Sequence, residues 1–192
     1  MREQCREAVV GAAIGTRTFL PFGVHLTNVD IYILRHGKAE KRSSAAHGDA
    51  GRVLTGEGRT EILGVAEFLA SRDVVFGCVA TSPYVRSLET AQIVTKALGN
   101  RGLLIQWDEL TPGAGIEALE SRITSRNEDE SLLLIGHEPL LGMFTGYMIS
   151  GGGNASIALG KGGLAKIRNA RLDPVSGELQ WLLTARQILS MK

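Results

Sequence analysis

Short apolar runs alternate along this chain with longer segments in which apolar residues return every three or four positions, and glycines and charges gather between them. Val29 to Leu34 is β-branched and apolar and is bounded by turn formers, the pattern of a strand buried on both faces. Residues 37 to 54 break that pattern with glycines, Ser43, Ser44 and several charges, which predicts a loop made basic by Lys38, Lys41, Arg42 and Arg52. Thr55 then offers an N-cap, and Ile62, Leu63, Ala66, Phe68 and Leu69 supply the apolar face of a helix through about Ser71.

Gly77 to Thr81 predicts a second strand, which Ser82-Pro83 ends while opening a helix at its first turn. Leu88, Ala91, Val94 and Leu98 carry that helix from about Val85 to Leu98, and Gly99 to Gly102 closes it. Leu103 to Trp107 predicts a third strand, Ile116 to Arg126 a short helix, and Ser131 to Ile135 a fourth strand, with Pro139 at the first position of the next helix. In the tail, Gly163 to Leu172 and Glu178 to Ala185 flank Asp173-Pro-Val-Ser-Gly177, which reads as a hairpin with a five-residue turn. Strand and helix alternate and then give way to an antiparallel pair. The order predicts a three-layer α/β/α sandwich with a mixed, mostly parallel sheet and a C-terminal β-hairpin.

A chain of 192 residues suits one domain, here 29–192, with residues 1–28 read as a flexible extension. The Ala8 to Ile14 run is short, glycine-interrupted and preceded by both Arg and Glu, a poor fit to a secretory signal. Charge is balanced at 21 basic against 20 acidic side chains, so nothing pulls the whole molecule toward nucleic acid or membrane, and any anion site must be local. No apolar run approaches the ~20 residues of a membrane span. Cys5 and Cys78 are isolated from one another, which points to a reducing cytoplasm rather than a disulfide framework.

The chemistry lies at strand ends. Arg35 and His36 finish the first strand, Arg86 opens the helix after the second, and His137 precedes the helix after the fourth. In an α/β sheet such ends meet at one rim, where helix N-termini also attract anions. Two guanidiniums and two imidazoles together suit a doubly negative group, and Arg matches phosphoryl oxygens bidentately. Each residue also has a plainer explanation: a polar rim position for His36, an i,i+3 pair with Glu89 for Arg86, a helix cap for His137. Other signals fail on inspection. Gly160-Lys161-Gly162-Gly163 lacks the Walker A pattern, Gly151-Gly-Gly153-Asn154 is a connector, and His25, His36, His47 and His137 lack zinc-site spacing.

Leu34-Arg35-His36-Gly37, the segment Ser82 to Ala91 and Gly136-His137-Glu138-Pro139, in that order, resemble the histidine phosphatase superfamily, also called phosphoglycerate mutase-like. Compact length, the Gly-His-Glu-Pro form, Leu110-Thr111-Pro112 and Lys161 to Ala165 make the chain most similar to its SixA-type phosphohistidine phosphatases. The resemblance implies a cofactor-independent and metal-free enzyme in which His36 is the nucleophile and Arg35, Arg86, His137 and Gly37 form the phosphate pocket. It also implies a phosphohistidine-bearing protein as partner, with no nucleic acid or membrane.

One departure bears on substrate. Where many members carry a carboxylic acid that protonates an alkoxide, this chain reads Leu110-Thr111-Pro112-Gly113, with Glu109 and Glu117 nearby. A phosphorylated imidazole can leave without that proton, so a P–N substrate is expected. No insertion long enough for a lid is evident, which predicts a shallow site, and the basic loop is a candidate contact for an acidic partner. Rival readings are an enzyme of small phosphate esters and a phosphoprotein-binding module without turnover.

Overall fold

Six strands form one sheet in a computed structural model that describes residues 29–41, 48–99, 103–126 and 130–191. Along the chain they are β1 (Val29–Arg35), α1 (Gly56–Ala70), β2 (Cys78–Thr81), α2 (Val85–Ala97), β3 (Leu103–Gln106), α3 (Ile116–Thr124), β4 (Leu132–Gly136), α4 (Leu140–Ile149), β5 (Leu164–Leu172), β6 (Val175–Leu183) and α5 (Ala185–Ser190). Sheet order is β3-β2-β4-β1-β5-β6. β1, β2, β3 and β4 are mutually parallel, and β5 and β6 add an antiparallel edge. This is the mixed α/β architecture that the alternation of periods predicts.

The pleat divides the core in two. Ile31, Ile33, Cys78, Ala80, Leu132 and Leu134 point to one face, where Leu119 and Ile123 of α3 and Leu141, Phe144 and Met148 of α4 cover them. Their neighbours Tyr32, Leu34, Val79, Leu133 and Ile135 point to the other, under Ile62, Val65 and Leu69 of α1, Ala91 and Val94 of α2 and Ile188 of α5. Burial on both faces explains why the central strands read as unbroken apolar runs. Thr55 caps α1 as expected, its side chain accepting from Gly58 N.

The register places the chemistry. Arg35 lies opposite Gly136 and Thr81 opposite Ile135, so the carboxyl ends of β1, β2 and β4 finish level. At Gly58 a Cβ would fall 2.2 Å from the Lys38 carbonyl oxygen, so α1 can approach the exit of β1 only without a side chain there.

Three expectations shift. The hairpin turn is tighter than five residues, because β6 already pairs at Val175, opposite Leu172. Pro139 is the N-cap of α4 rather than its first helical residue. After β6 the chain forms α5, nucleated by a capping box in which Thr184 accepts from Gln187 N and Gln187 Oε1 accepts from Thr184 N. The extension 1–28, Arg42 and His47 lie outside the described residues, and among the described residues no helix is long and apolar enough to cross a membrane.

Candidate active site

The ladder between β1 and β4 runs one step beyond the strands, with His36 N donating to Gly136 O at 3.1 Å. The turn 160–163 closes that end: Gly162 N reaches the carbonyl oxygens of Arg35 and His36, both at 3.1 Å. Backbone bonds on both sides thus hold Arg35 and His36 where the sheet stops. Arg86, in the first turn of α2, and His137, just past β4, meet them there. The rim side chains are closely packed, with His36 5%, Arg86 3% and His137 2% exposed.

Arginine only donates hydrogen bonds and a carbonyl only accepts them, so the contacts assign the protons. His36 Nδ1 lies 2.7 Å from Gly37 O and must carry the hydrogen. Its Nε2 lies 3.2 Å from Arg86 Nε and must carry the lone pair. His137 has the opposite tautomer: Nδ1 accepts from Arg86 Nη2 at 3.2 Å, and Nε2 faces the hydroxyls of Ser82 at 3.0 Å and Ser87 at 3.3 Å. The two rings lie 4.9 Å apart between centroids.

Electrostatics keeps both rings neutral. Burial first, then the charges of Arg86, Arg35 and Lys161, outweigh the bond to Gly37 and pull the His36 pKa down to about 4. Burial, His36 and Arg86 take His137 down to about 3. An imidazole that stays neutral at ordinary pH keeps its lone pair available for attack. The Gly-Lys-Gly-Gly turn brings the charge of Lys161 to bear on His36.

Arg35 donates through Nη1 to Leu159 O at 2.7 Å, while its Nε is buried with no hydrogen-bond partner among the described residues. A buried guanidinium N–H left unmatched is a ready donor for an oxyanion. Gly37 serves the rim through its carbonyl, since its N–H is committed to Thr90 Oγ1 at 3.2 Å. A Cβ at Gly37 would sit 2.7 Å from Ile62 Cγ1, so α1 requires a glycine there.

The plainer pairing of Arg86 with Glu89 does not form. Glu89 instead binds Arg59 at 2.5 Å and Leu54 N at 2.7 Å. The basic loop is partly spent internally: Lys38 pairs with Glu57 and lies 3.7 Å from Glu61, and Arg52 pairs with Asp49 at 3.0 Å. Glu109 sits in a short 3-10 turn, Asp108–Leu110, and the Glu117 charge bears on Tyr147 of α4.

Sequence reading missed several participants. Ser82, Ser87 and Thr90 flank Arg86 within one motif, and only the folded helix turns them toward the imidazoles and Gly37. Tyr84 lies edge-on to His137, 5.2 Å between centroids, and under the Arg86 guanidinium at 5.0 Å. Asp49 binds Arg86 from a loop with no periodicity to mark it. Beside Arg35 opens a cleft of about 320 Å³ walled by Glu138, Met143, Ile157 and Leu159. A larger groove of about 610 Å³ between α1 and α2 shares none of these residues.

A family model described as the histidine phosphatase superfamily (branch 1) matches residues 31–111. An uncharacterized protein of Picosynechococcus sp. is 30% identical over 162 residues, spanning 82% of this chain and 96% of its own. Among solved structures, the protein histidine phosphatase SixA complexed with tungstate superposes with a TM-score of 0.74 at 24% identity, covering 85% of this chain and 100% of its own. Phosphoglycerate mutase from Bacillus anthracis str. Sterne does so with 0.64 at 15% identity, over 86% and 98%. At those identities the two structures bear on the fold, and both share it.

Proposed function

The chain belongs to the histidine phosphatase superfamily, and we propose that within it this is a cofactor-independent phosphatase that removes the phosphoryl group from phosphohistidine on a partner protein through a phospho-His36 intermediate. One observation carries the reading: the Nε2 lone pair of His36 faces the Nε–Nη2 edge of Arg86, with the neutral ring of His137 across the same edge.

In this mechanism Nε2 of His36 attacks phosphorus in line, the Nε2–P bond forms, and the P–N bond to the substrate ring breaks with its electron pair staying on that ring. The departing imidazole, already carrying its other N–H, leaves neutral and needs no proton. Water then attacks phosphorus, the Nε2–P bond breaks, and inorganic phosphate departs with the water's oxygen and protons. Charge on the transferring group spreads over three oxygens, for which Arg35 Nε and the side edge of Arg86 are the fixed donors. The negative charge also opposes the burial and the neighbouring His36 and Arg86 that hold the His137 pKa down, and so moves that ring toward an imidazolium that would be a further donor.

The carboxylate bound to Arg86 favours a P–N substrate. Asp49 is kept below the usual carboxylate range by its bonds to Arg52 and Arg86, which outweigh burial, so it is ionised and has no proton to give to an alkoxide. The SixA neighbour carries tungstate, a tetrahedral oxyanion like phosphate. Cys5 and Cys78 lie far apart in the sequence and in no Cys-x-x-Cys pair, which suits a partner met in the reducing cytoplasm.

A second reading has one observation in its favour. Glu138, walling the cleft beside Arg35, is pushed above the ordinary carboxylate range by burial and could protonate an alkoxide, which would open small phosphate esters to the enzyme. A panel of phosphohistidine protein, phosphoserine peptide, sugar phosphates and 3-phosphoglycerate, scored by phosphate release, separates the two. Fast release from phosphohistidine protein alone supports the first. Preference for an ester would overturn it.

A further inference from the structure

The Arg86 guanidinium presents two edges, and different parts of the fold occupy them. Its side edge, Nε and Nη2, faces the imidazoles of His36 and His137 at 3.2 Å each. Its end edge, Nη1 and Nη2, is taken by a single residue: Nη1 donates to Asp49 O at 2.6 Å and Nη2 to Asp49 Oδ2 at 3.0 Å. The other carboxylate oxygen, Oδ1, accepts from Arg52 Nη1 at 3.0 Å, and Arg52 Nε is anchored on Glu40 O at 2.7 Å. The next residue binds α2 directly, Val85 N donating to Ala50 O at 3.0 Å. Asp49 is therefore tied on three sides before any ligand arrives.

We infer that Asp49 is a positioning residue, whose carboxylate and backbone carbonyl together hold the end edge of Arg86 so that its Nε is aimed at the phosphoryl group. This rests on the reading of the rim as a phosphoryl site. A carboxylate beside an anion site could instead compete with the ligand for the guanidinium, and the two roles differ in which edge is used. Competition requires the carboxylate on the edge that faces the nucleophile. Here the two Asp49 contacts fall on Nη1 and on Nη2, the nitrogen that the two edges share, leaving Nε free of the acid and directed at His36. Holding a guanidinium in advance spares the ordering cost that a flexible side chain would otherwise incur when the ligand binds. The arrangement also explains an acid beside an anion site: its charge is shared between Arg86 and Arg52, so the pocket stays cationic.

The test uses the full-length protein and inorganic phosphate as probe. Asp49→Ala should weaken phosphate inhibition by about tenfold, the scale of a lost charge-assisted contact at an anion site. Asp49→Asn, which keeps one acceptor oxygen, should fall between it and the wild type, and Asp49→Glu should recover part of the loss. The Arg86 Nε–H signal in nitrogen-15 NMR, assigned by its disappearance in Arg86→Lys, should broaden or exchange faster in Asp49→Ala while the melting temperature stays close to that of the wild type. Phosphate binding as tight as or tighter than the wild type's in Asp49→Ala overturns the inference, as does an unchanged Nε–H signal. Failure of the wild type to bind phosphate would sink the phosphoryl reading, and the Nε–H signal would still decide whether Asp49 holds Arg86.

Discussion

Arg35 and Glu138 hold one residue from its two sides: Arg35 Nη1 donates to the Leu159 carbonyl at 2.7 Å, and Glu138 Oε1 accepts the Leu159 N–H at 3.2 Å. Segment 155–159 is thereby fastened to the end of β1 and to the start of α4, and the cleft beside the rim takes its shape from that fastening. Glu138→Gln keeps an acceptor oxygen for Leu159 but removes the ionisable proton. Phosphohistidine turnover should stay within about threefold of the wild type, whereas loss of a general acid would lower ester turnover by ~10²–10⁴. Steady-state kinetics on both substrate types decides; an equal large loss on phosphohistidine would show that the carboxyl proton serves the P–N reaction too.

His36→Ala should retain the fold and abolish both turnover and the acid-labile phosphoryl label on the enzyme, because it removes the Nε2 lone pair that attacks phosphorus in the proposed mechanism. Brief exposure to labelled phosphohistidine protein followed by acid and base treatment makes the measurement. Label persisting in the variant would move the nucleophile elsewhere.

Arg86→Ala should cost ~10²–10³ in kcat, the usual loss for one preorganised donor to developing charge. Arg86→Lys should recover little of it, since an ammonium cannot hold Asp49 on one edge while serving the phosphoryl group on another. A single-turnover comparison of the two variants checks this, and full activity in the lysine variant would contradict the two-edge geometry.

Acid should loosen the fold through the rim. An unfolded histidine titrates near ~6.5, whereas His36 and His137 in the folded protein titrate at about 4 and about 3. Between those values the unfolded chain binds protons that the folded chain refuses. Stability is therefore full above about pH 6.5 and falls as pH drops toward 4 and then 3, by up to ~1.4 kcal/mol per pH unit for each ring. Melting temperatures from neutral pH to about pH 4.5 should fall, and less steeply in His137→Gln; identical slopes would show that the ring does not titrate as its burial demands. By the same reasoning the acid limb of kcat/KM should lie near pH 4 rather than 6.5.

Gly142 and Gly146 let α4 lie against the backbone of segment 155–157. A Cβ at Gly146 would fall 1.9 Å from Ala155 O and one at Gly142 2.2 Å from Ile157 O. Gly146→Ala should cost at least ~1–3 kcal/mol of stability by overpacking, read by urea denaturation. Because this segment leads to Leu159, activity should fall with stability; an unaffected midpoint would mean that α4 can shift freely.

Periodicity alone was enough for the β1-to-β4 framework, since strands buried on both faces must be continuously apolar and one-sided helices must repeat every three or four residues. The same pattern put Arg35, His36 and His137 at strand ends, where an abrupt change from apolar to polar is local information, and Arg86 at the start of the helix after β2. The tight hairpin and α5 were less legible, because the turn depends on pairing between β5 and β6 and the helix on a cap within a stretch that also reads as strand. Only the tertiary structure decided the proton positions. Which nitrogen of His36 or His137 carries hydrogen depends on Arg86 and on Gly37, Ser82 and Ser87, set by how α2 docks against β1 and β4. Asp49 is the extreme case: its chemistry arises from one edge of a guanidinium 37 residues away in sequence, a relationship that no spacing rule along the chain can express.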